Sequence, residues 1–370
     1  MSDPDLICEV RTEGGTYHNW LSVAMTQSFD DRNGFRNFRL ICAEPSAVAN
    51  LRLKPGDRVD IALAGQVAVQ EGYIVNRQAA YDANRHVVQI DGYSKGGQTT
   101  RASINEGTGQ FRGYKLEAIA NSVLKPHGIK FKVVNPPDGA DEPFTNVQVR
   151  FGETPFQLIS RLCNQRGLWI SSEADGTMVA GADTKGGGVV FEEGKNILSA
   201  NCSIAMPSVQ EVIVNAQKPG SDSLFGRKAA EIQAKATMQG PKGQARKVLA
   251  EMPLSEKELK LRTNMEVQAI EASLVRVSIT YQGWLRPGIG GLWELAHDYA
   301  TIKSPMLFPT ESGQMKMKLW SYVYSQSEAG TTTTCEFVSE KAFEQKAADA
   351  TKNDGFISNG ASLAVPETVT

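Results

Sequence analysis

The chain has few of the residues on which catalytic and metal chemistry is most often built. Four histidines, His18, His86, His127 and His297, stand apart, with no HExxH or HxH spacing and no cysteine at ligand spacing. That pattern favours surface or turn histidines over a metal site. Cysteine is equally sparse: Cys8, Cys42, Cys163, Cys202 and Cys335 are odd in number and form no CxxC pair. Such a set reads as buried thiols in a reducing compartment, not as a disulfide framework. The GxxxxGK[ST] phosphate loop and the GxSxG elbow are both missing. Gly107-Thr108-Gly109-Gln110-Phe111-Arg112-Gly113 approaches the dinucleotide fingerprint, but its last glycine is one residue late and no hydrophobic strand leads into it. It reads as a turn. The paired acids Asp30-Asp31, Asp141-Glu142 and Glu192-Glu193 sit near turn residues, where solvated carboxylates are the rule.

Two further absences bear on location and partners. The longest stretch without Asp, Glu, Lys or Arg runs from Gly14 to Phe29, and it contains His18, Asn19 and Gln27. A membrane-spanning helix needs about twenty mostly apolar residues, so none is expected, and no membrane anchor. Met1-Ser2-Asp3-Pro4-Asp5 lacks the basic and apolar regions of a secretion signal; the expectation is a soluble protein made in a cytoplasm. Charge of one sign is also missing, since 39 Lys and Arg face 41 Asp and Glu. That excludes a bulk polycation built to grip nucleic acid. The basic segment Lys218–Arg262, with Arg227-Lys228, Lys242 and Arg246-Lys247, holds one aromatic, Phe225. It lacks the stacking platforms of single-strand binders and reads as a solvated face.

What is present is a large globular chain. At 370 residues and 40.2 kDa it exceeds what one hydrophobic core usually organises, which calls for at least two packed units. Residues 1–97 alternate with the period of strands: Leu6, Cys8 and Val10, then Phe38, Leu40 and Cys42, then Val59, Ile61 and Leu63, then Val88 and Ile90. Turn residues separate them, which predicts a first small β-barrel or sandwich. Residues 98–188 change texture. Leu116, Ile119, Ala120, Val123 and Leu124 form a helical stripe stopped by Pro126 and Gly128. Thr154-Pro155-Phe156-Gln157 opens a second helix with a capping box, and Asp175-Gly176 turns a hairpin. The prediction there is an α+β domain, followed by a joint at Gly186-Gly187-Gly188.

Beyond the joint, residues 189–217 and 275–340 are strand-like and together predict a second, discontinuous β-barrel. Residues 218–274 predict a helix-bearing insertion, with a capping box at Ser255-Glu256-Lys257-Glu258. Residues 341–370 are polar and predict a flexible tail. Five tryptophans, Trp20, Trp169, Trp284, Trp293 and Trp320, are the large apolar anchors. Most should be core, with a place between subunits, where tryptophan is enriched, open to the rest. The most unusual segment is Gln282–Trp293, in which two tryptophans flank four glycines and a proline. Its bland reading is a β-corner whose rings cover a barrel end. The candidate structural or interface anchors are therefore Trp284, Trp293, Gly283, Gly291 and Trp20.

Gly283-Trp284, followed by Gly291-Leu292-Trp293 and a strand ending near Pro305, resembles the last β block of the baseplate hub proteins of Mu-like contractile-tailed phages, the tail protein P or late control protein D type. Three further stretches agree in order. Val88-Gln89-Ile90-Asp91-Gly92-Tyr93-Ser94 is similar to the family's strand ending in Gly-x-Ser, with tyrosine where the family prefers arginine at position 93. Phe151-Gly152-Glu153-Thr154 is similar to the entry of its second domain, and Glu192-Glu193-Gly194-Lys195-Asn196-Ile197-Leu198 to the entry of its second barrel. The resemblance implies two similar β-barrels, the second interrupted, plus an α+β domain, the layout that the segmentation gives. It also implies a homotrimeric ring without active site or cofactor, adapting a sixfold tail tube to a threefold central spike. Its partners would be further copies of itself, the spike, the tube or tape-measure end and other baseplate proteins. DNA would pass the channel without specific binding. The expected location is the virion baseplate, assembled in the bacterial host cytoplasm. Two alternatives stand beside it: the hub of a DNA-free tailocin, and a cell-wall-binding or wall-degrading tail protein.

Overall fold

The computed structural model describes residues 7–29, 34–43, 53–83, 86–105, 109–183, 188–217, 232–309, 312–344 and 349–352. The first seven strands are β1 (Cys8–Thr12), β2 (Gly15–Tyr17), β3 (Ser22–Ser28), β4 (Asn37–Ala43), β5 (Arg58–Leu63), β6 (Gln66–Tyr81) and β7 (His86–Tyr93). All pair antiparallel, and the alternation read from the sequence is the alternation of burial. Val23 and Met25 of β3, and Phe38, Leu40 and Cys42 of β4, face the core while their neighbours are partly or fully exposed.

The α+β unit follows, with β8 (Gln110–Phe111), α1 (Leu116–Leu124), β9 (Phe131–Val133), β10 (Val147–Gln148), α2 (Pro155–Arg166), β11 (Ile170–Ser172) and β12 (Met178–Ala180). The predicted stripe of α1 is buried at all five positions. Thr154 and Gln157 close the capping box at the start of α2, and Gly167 ends it in a left-handed conformation. β8 pairs with β10, so the near-fingerprint at Gly109–Gly113 is part of a short strand and its turns.

The remaining elements are β13 (Gly188–Glu192), β14 (Ser199–Ile204), β15 (Glu211–Ala216), β16 (Ile232–Thr237), β17 (Ala245–Leu249), α3 (Glu256–Leu274), β18 (Val275–Gln282), β19 (Tyr299–Lys303), β20 (Gln314–Ser327), β21 (Gly330–Ser339) and β22 (Asp349–Lys352). Ser255 and Glu258 form the predicted capping box of α3. The chain is thus mostly β, with three α-helices among the described residues.

The two β blocks do not stand apart. They join into one 13-stranded sheet in the order β14-β18-β21-β20-β3-β4-β7-β6-β5-β1-β2, with β19 and β13 branching from β20. The splice is the β20–β3 ladder, from Ser321↔Ser28 to Gln326↔Val23. β20 can serve both neighbours because a bulge between Leu319 and Ser321 bends it. Before the bulge it pairs with β19; after it, with β3. Among the described residues this pairing is an open path, and neither block closes its own ladder.

Three sequence expectations meet a different arrangement. Glu211–Ala216, assigned to the second β block by its apolar alternation, instead pairs with β16 and β17 in a separate four-stranded sheet. Alternation reports that a face is buried, not which strand lies beside it. The helix-bearing insertion carries strands as well as α3, whose Leu259, Val267 and Ile270 pack in the same small core as Val212 and Val214. The 341–370 segment, expected to be a flexible tail, contributes a 3-10 turn with buried Ala342, and its residues 349–352 pair with β16. The polar turn at 30–33, the glycine joint at 186–187, Arg227-Lys228 with Phe225, and residues 353–370 lie outside the described residues; Gly188 already belongs to β13.

The units are held together by aromatic packing at their meeting point. Trp169 stands edge-on to Trp320 with centroids 4.9 Å apart, and Phe29 lies 5.3 Å from Trp320. Phe343 completes the group at 5.6 Å from Phe29. One ring each from the first β block, the α+β unit, the second block and the C-terminal turn meet here. Each such pair is worth about 0.5–1.5 kcal/mol beyond the area it buries.

Candidate functional site

Of the residues singled out in the glycine-rich turns that follow Gln282, Trp284 and Trp293 fall into the core of the second block, and Gly283 and Gly291 are half-buried. Trp293 is fully buried; its indole N–H donates to the Tyr281 hydroxyl at 2.8 Å, and its backbone N–H donates to the Tyr324 hydroxyl at 2.6 Å. Trp284 is buried and donates to the Ser325 carbonyl at 3.2 Å. Gly283 and Gly291 both take positive φ, 87° and 71°. The Gly283 carbonyl accepts from Thr333 Oγ1 at 2.6 Å, and the Gly291 carbonyl accepts from the Arg286 amide at 3.0 Å. Trp20, in the first block, is also buried, and its carbonyl accepts from Gln326 of β20 at 3.1 Å. The structure therefore brings Gly283, Trp284, Gly291 and Trp293 together, and sets Trp20 beside the splice.

The sequence reading missed a buried polar junction at the same crossroads. Arg36, just before β4, has 1% of its surface exposed. Its Nε donates to Gln27 Oε1 at 3.2 Å, one terminal nitrogen to the Ala68 carbonyl, and the other to Glu294 Oε1 at 2.7 Å. Gln27 in turn donates to the carbonyls of Gly34 (2.6 Å) and Ser172 (2.8 Å), and accepts from the Tyr322 hydroxyl at 2.6 Å. Ser94, the end of the Gly-x-Ser motif, fixes the Arg36 backbone from both sides: its Oγ accepts from Arg36 N, and its N–H donates to Arg36 O at 2.7 Å. The neighbouring Tyr93 lies under the Arg101 guanidinium at 5.1 Å. Burial disfavours the Arg36 charge, yet the facing Glu294 carboxylate outweighs it and holds the guanidinium above its ordinary range. Burial likewise pushes the Tyr322 and Tyr324 phenols up, so they remain neutral hydrogen-bonding groups.

A second polar cluster continues from Glu294. The Glu294 amide donates to Asp298 Oδ2 at 2.8 Å, and Arg286 bonds the other oxygen of Asp298 at 2.5 Å. Burial raises Asp298 despite that arginine. Buried Lys318 donates to the carbonyls of Asp183 (2.7 Å) and Ala296 (3.1 Å), and burial lowers its pKa to about 8. His297 sits between two carboxylates, Asp183 at 2.9 Å and Glu173 at 3.4 Å. The hydrogen bond to Glu173 pulls its pKa up against a desolvation that lowers it. Glu173, in turn, is held below its ordinary range by His297, and also by Lys132 despite partial burial.

This chemistry ties parts together. Acids of the cluster face cations, and the thiols of Cys8, Cys163 and Cys335 are buried, with burial raising each. The sequence-adjacent acids are similarly engaged: Glu142 pairs with Lys257 at 2.8 Å, Asp141 with Lys115 at 2.5 Å and Glu192 with Lys195 at 2.8 Å. Arg246 and Arg262 of the basic segment pair with Glu266 at 2.8 and 2.7 Å, and all three line a cleft of about 480 Å³ together with Trp169 and Trp320. Among the described residues, no group of three or more His, Cys, Asp and Glu is arranged to hold a metal ion, and no helix is long and apolar enough to cross a membrane. A signal for the missed residues did exist. Gln27 lies at the inward parity of β3, after Val23 and Met25, where a polar side chain requires buried partners.

Fold and junction define a β-rich protein whose buried polar groups fasten its units to each other. Residues 100–182 match the sequence model of a family described as the second domain of the gp44-like baseplate hub protein. Baseplate hub protein gp44 of Escherichia phage Mu is 25% identical over 170 residues, which are 46% of this chain and 44% of that protein. The matched segment thus spans less than half the length of that curated relative. Among solved structures, the 43 kDa tail protein of prophage MuSo2 from Shewanella oneidensis superposes with a TM-score of 0.75 at 21% identity, covering 92% of this chain and all of the other. The tail protein from Neisseria meningitidis MC58 gives 0.74 at 16% identity over 91% and 97% of the two chains. A more distant neighbour is the E. coli c3393 protein, described as a component of the type VI secretion system similar to T4 bacteriophage tail proteins gp27 and gp5. It gives 0.56 at 9% identity over 91% and 79%. The resemblance to Mu-like hub proteins read from the sequence stands, and the fold is that of phage tail proteins.

Proposed function

We propose that the chain is the structural hub of a contractile-tail baseplate, acting as a ring of three copies that adapts a sixfold tube to a threefold spike. The observation that carries this reading is the splice. Each copy holds two β blocks fused edge to edge through β20 and β3, so three copies would present six blocks around one axis. Closing the two blocks into barrels, and seating the tube on one side and the spike on the other, belong to the same proposal. A ring needs heterologous contacts that close after the right rotation. Permanent assemblies of this kind commonly bury on the order of 2,000 Å² or more per interface.

In this reading Trp284, Trp293, Gly283, Gly291 and Trp20 act as internal anchors that keep the blocks rigid under load. The chain has no catalytic role; its partners are its own copies, the spike, the tube or tape-measure end and neighbouring baseplate proteins. The net charge of −2 and the ion-paired Arg246 and Arg262 favour a channel that lets DNA pass. The location is the virion baseplate. The type VI neighbour supports a second reading, the hub of a related injection particle that carries no genome. Sedimentation or mass photometry of the full chain should give a species near three times 40.2 kDa, and class averages a ring with a sixfold outline. A chain that stays monomeric both alone and with the purified spike protein would overturn the ring.

A further inference from the structure

Every open sheet edge exposes backbone donors and acceptors that template pairing with another chain, and folded proteins normally protect such edges by shortness, charge or bulges. Most edges here are protected. β2 has three residues, β17 carries Arg246 and Lys247, and β13 ends at Glu192. β14 has none of these devices. It is six residues long, pairs with β18 on one side, and no strand covers its other side among the described residues. The sequence from Asn196 to Gln210 contains no Asp, Glu, Lys or Arg. Along it Leu198, Ile204 and Met206 are 61%, 59% and 68% exposed. The backbone is oriented for pairing. Ala205 N donates to Leu274 O at 2.7 Å, so residues of its parity turn inward to β18. Ala200 and Ile204 therefore aim their N–H groups outward.

The same chain carries a second open edge, whose last four residues are uncharged between Arg77 and Asp82. β5 covers β6 only as far as Tyr73, and among the described residues β6 runs on to Tyr81 with just β7 beside it. Its end, Gln78-Ala79-Ala80-Tyr81, is exposed, with Tyr81 83% accessible and stacked on His86. A head-to-tail contact between identical chains requires two different surfaces that fit each other. Two open strand stretches without charge, Ser199–Ile204 in one β block and Gln78–Tyr81 in the other, meet that requirement.

We infer that β14 is the edge on which a second copy of this chain docks, adding the β6 end of one subunit to the β14 edge of the next. The inference deepens the ring reading and rests on it for closure of the contacts. Its test compares full-length wild type with Ala200→Pro, which removes an outward donor without touching the β18 ladder, and with Ile204→Lys, which guards the edge by charge. Tyr81→Lys probes the mating edge. Sedimentation velocity across a micromolar concentration series should show all three variants dissociating at least tenfold more readily than wild type, with unchanged near-ultraviolet circular dichroism and melting temperature. Should the variants keep the wild-type mass, the ring reading survives and the β14 assignment falls. Loss of oligomer in Ala200→Pro and Ile204→Lys but not in Tyr81→Lys overturns the assigned mate. A wild type that never associates overturns both readings. If the edge variants lose only binding to the purified spike protein, the edge belongs to a different chain and the second-copy inference fails.

Discussion

Arg36 is buried as a cation in the middle of a β-rich core, and it survives there because its guanidinium is met by an amide oxygen, a carbonyl and a carboxylate. Removing one partner of such a pair strands the other charge, whereas replacing both by apolar groups of similar size costs far less. Glu294→Gln should therefore destabilise the chain by about 2–3 kcal/mol, below the roughly 3–5 kcal/mol of a fully buried pair because Glu294 is partly exposed. The double variant Arg36→Met with Glu294→Leu should lose less than the single one. Urea unfolding followed by tryptophan fluorescence measures both, and a double variant worse than the single would refute the pairing as the cause. His297 supplies a second expectation. Its folded-state pKa lies above the ordinary 6.5, so its stabilisation is fully present below pH 6.5 and is lost as pH rises through the raised value. Lys318, depressed to about 8, acts the opposite way only from there upward, since its neutral form is favoured in the fold. Between pH 6.5 and 8 the melting temperature should fall, and His297→Gln should flatten that slope; an unchanged slope would clear His297 of any part in it.

At the level of elements, the local signals carried far. Both capping boxes, the α1 stripe and the Asp175-Gly176 hairpin were readable because each depends on residues close by in the chain. The strand alternation of the first block was readable for the same reason. What a sequence does not carry is which strand lies beside which. Glu211–Ala216 has the pattern of any buried strand, and nothing in it distinguishes β16 from β18 as its neighbour. The splice is equally silent, because β3 and β20 lie near opposite ends of the sequence and meet through ordinary backbone pairing. One position does register a long-range contact. Gly34 takes φ +54°, and a Cβ built there would lie 2.4 Å from the Ile170 carbonyl oxygen of β11. Backbone meets backbone, so neither side has a flexible group to yield. Gly34→Ala should lower the melting temperature by several degrees and raise hydrogen exchange at β11 more than at β15. Equal exchange in both strands would show that the contact is not a clamp between the first block and the α+β unit.

For the whole molecule, texture changes at about residues 98, 189, 218 and 275 suggested two β blocks, an α+β unit and an interrupting segment, whereas the strands of both β blocks join one sheet and Glu211–Ala216 belongs to another. The polar junction was not, because its members Gln27, Arg36, Glu294 and Tyr322 are unremarkable one at a time and acquire meaning only when the fold assembles them. Charge balance yields a further expectation. With Arg246 and Arg262 neutralised by Glu266 and Glu251, duplex DNA should not be retained on a filter at about 0.15 M salt, where only contacts shorter than roughly 8 Å escape screening. Retention that weakens steeply with added salt would expose a basic surface that these pairs do not quench.

The splice also sets how the molecule meets a pulling force. A tension directed along β20 and β3 loads the six residue pairs from Ser321↔Ser28 to Gln326↔Val23 simultaneously, in shear. The same tension applied across the strands would peel those pairs open one after another. A hub stretched along the splice would thus resist as a rope does, and stretched across it would part like a zip fastener.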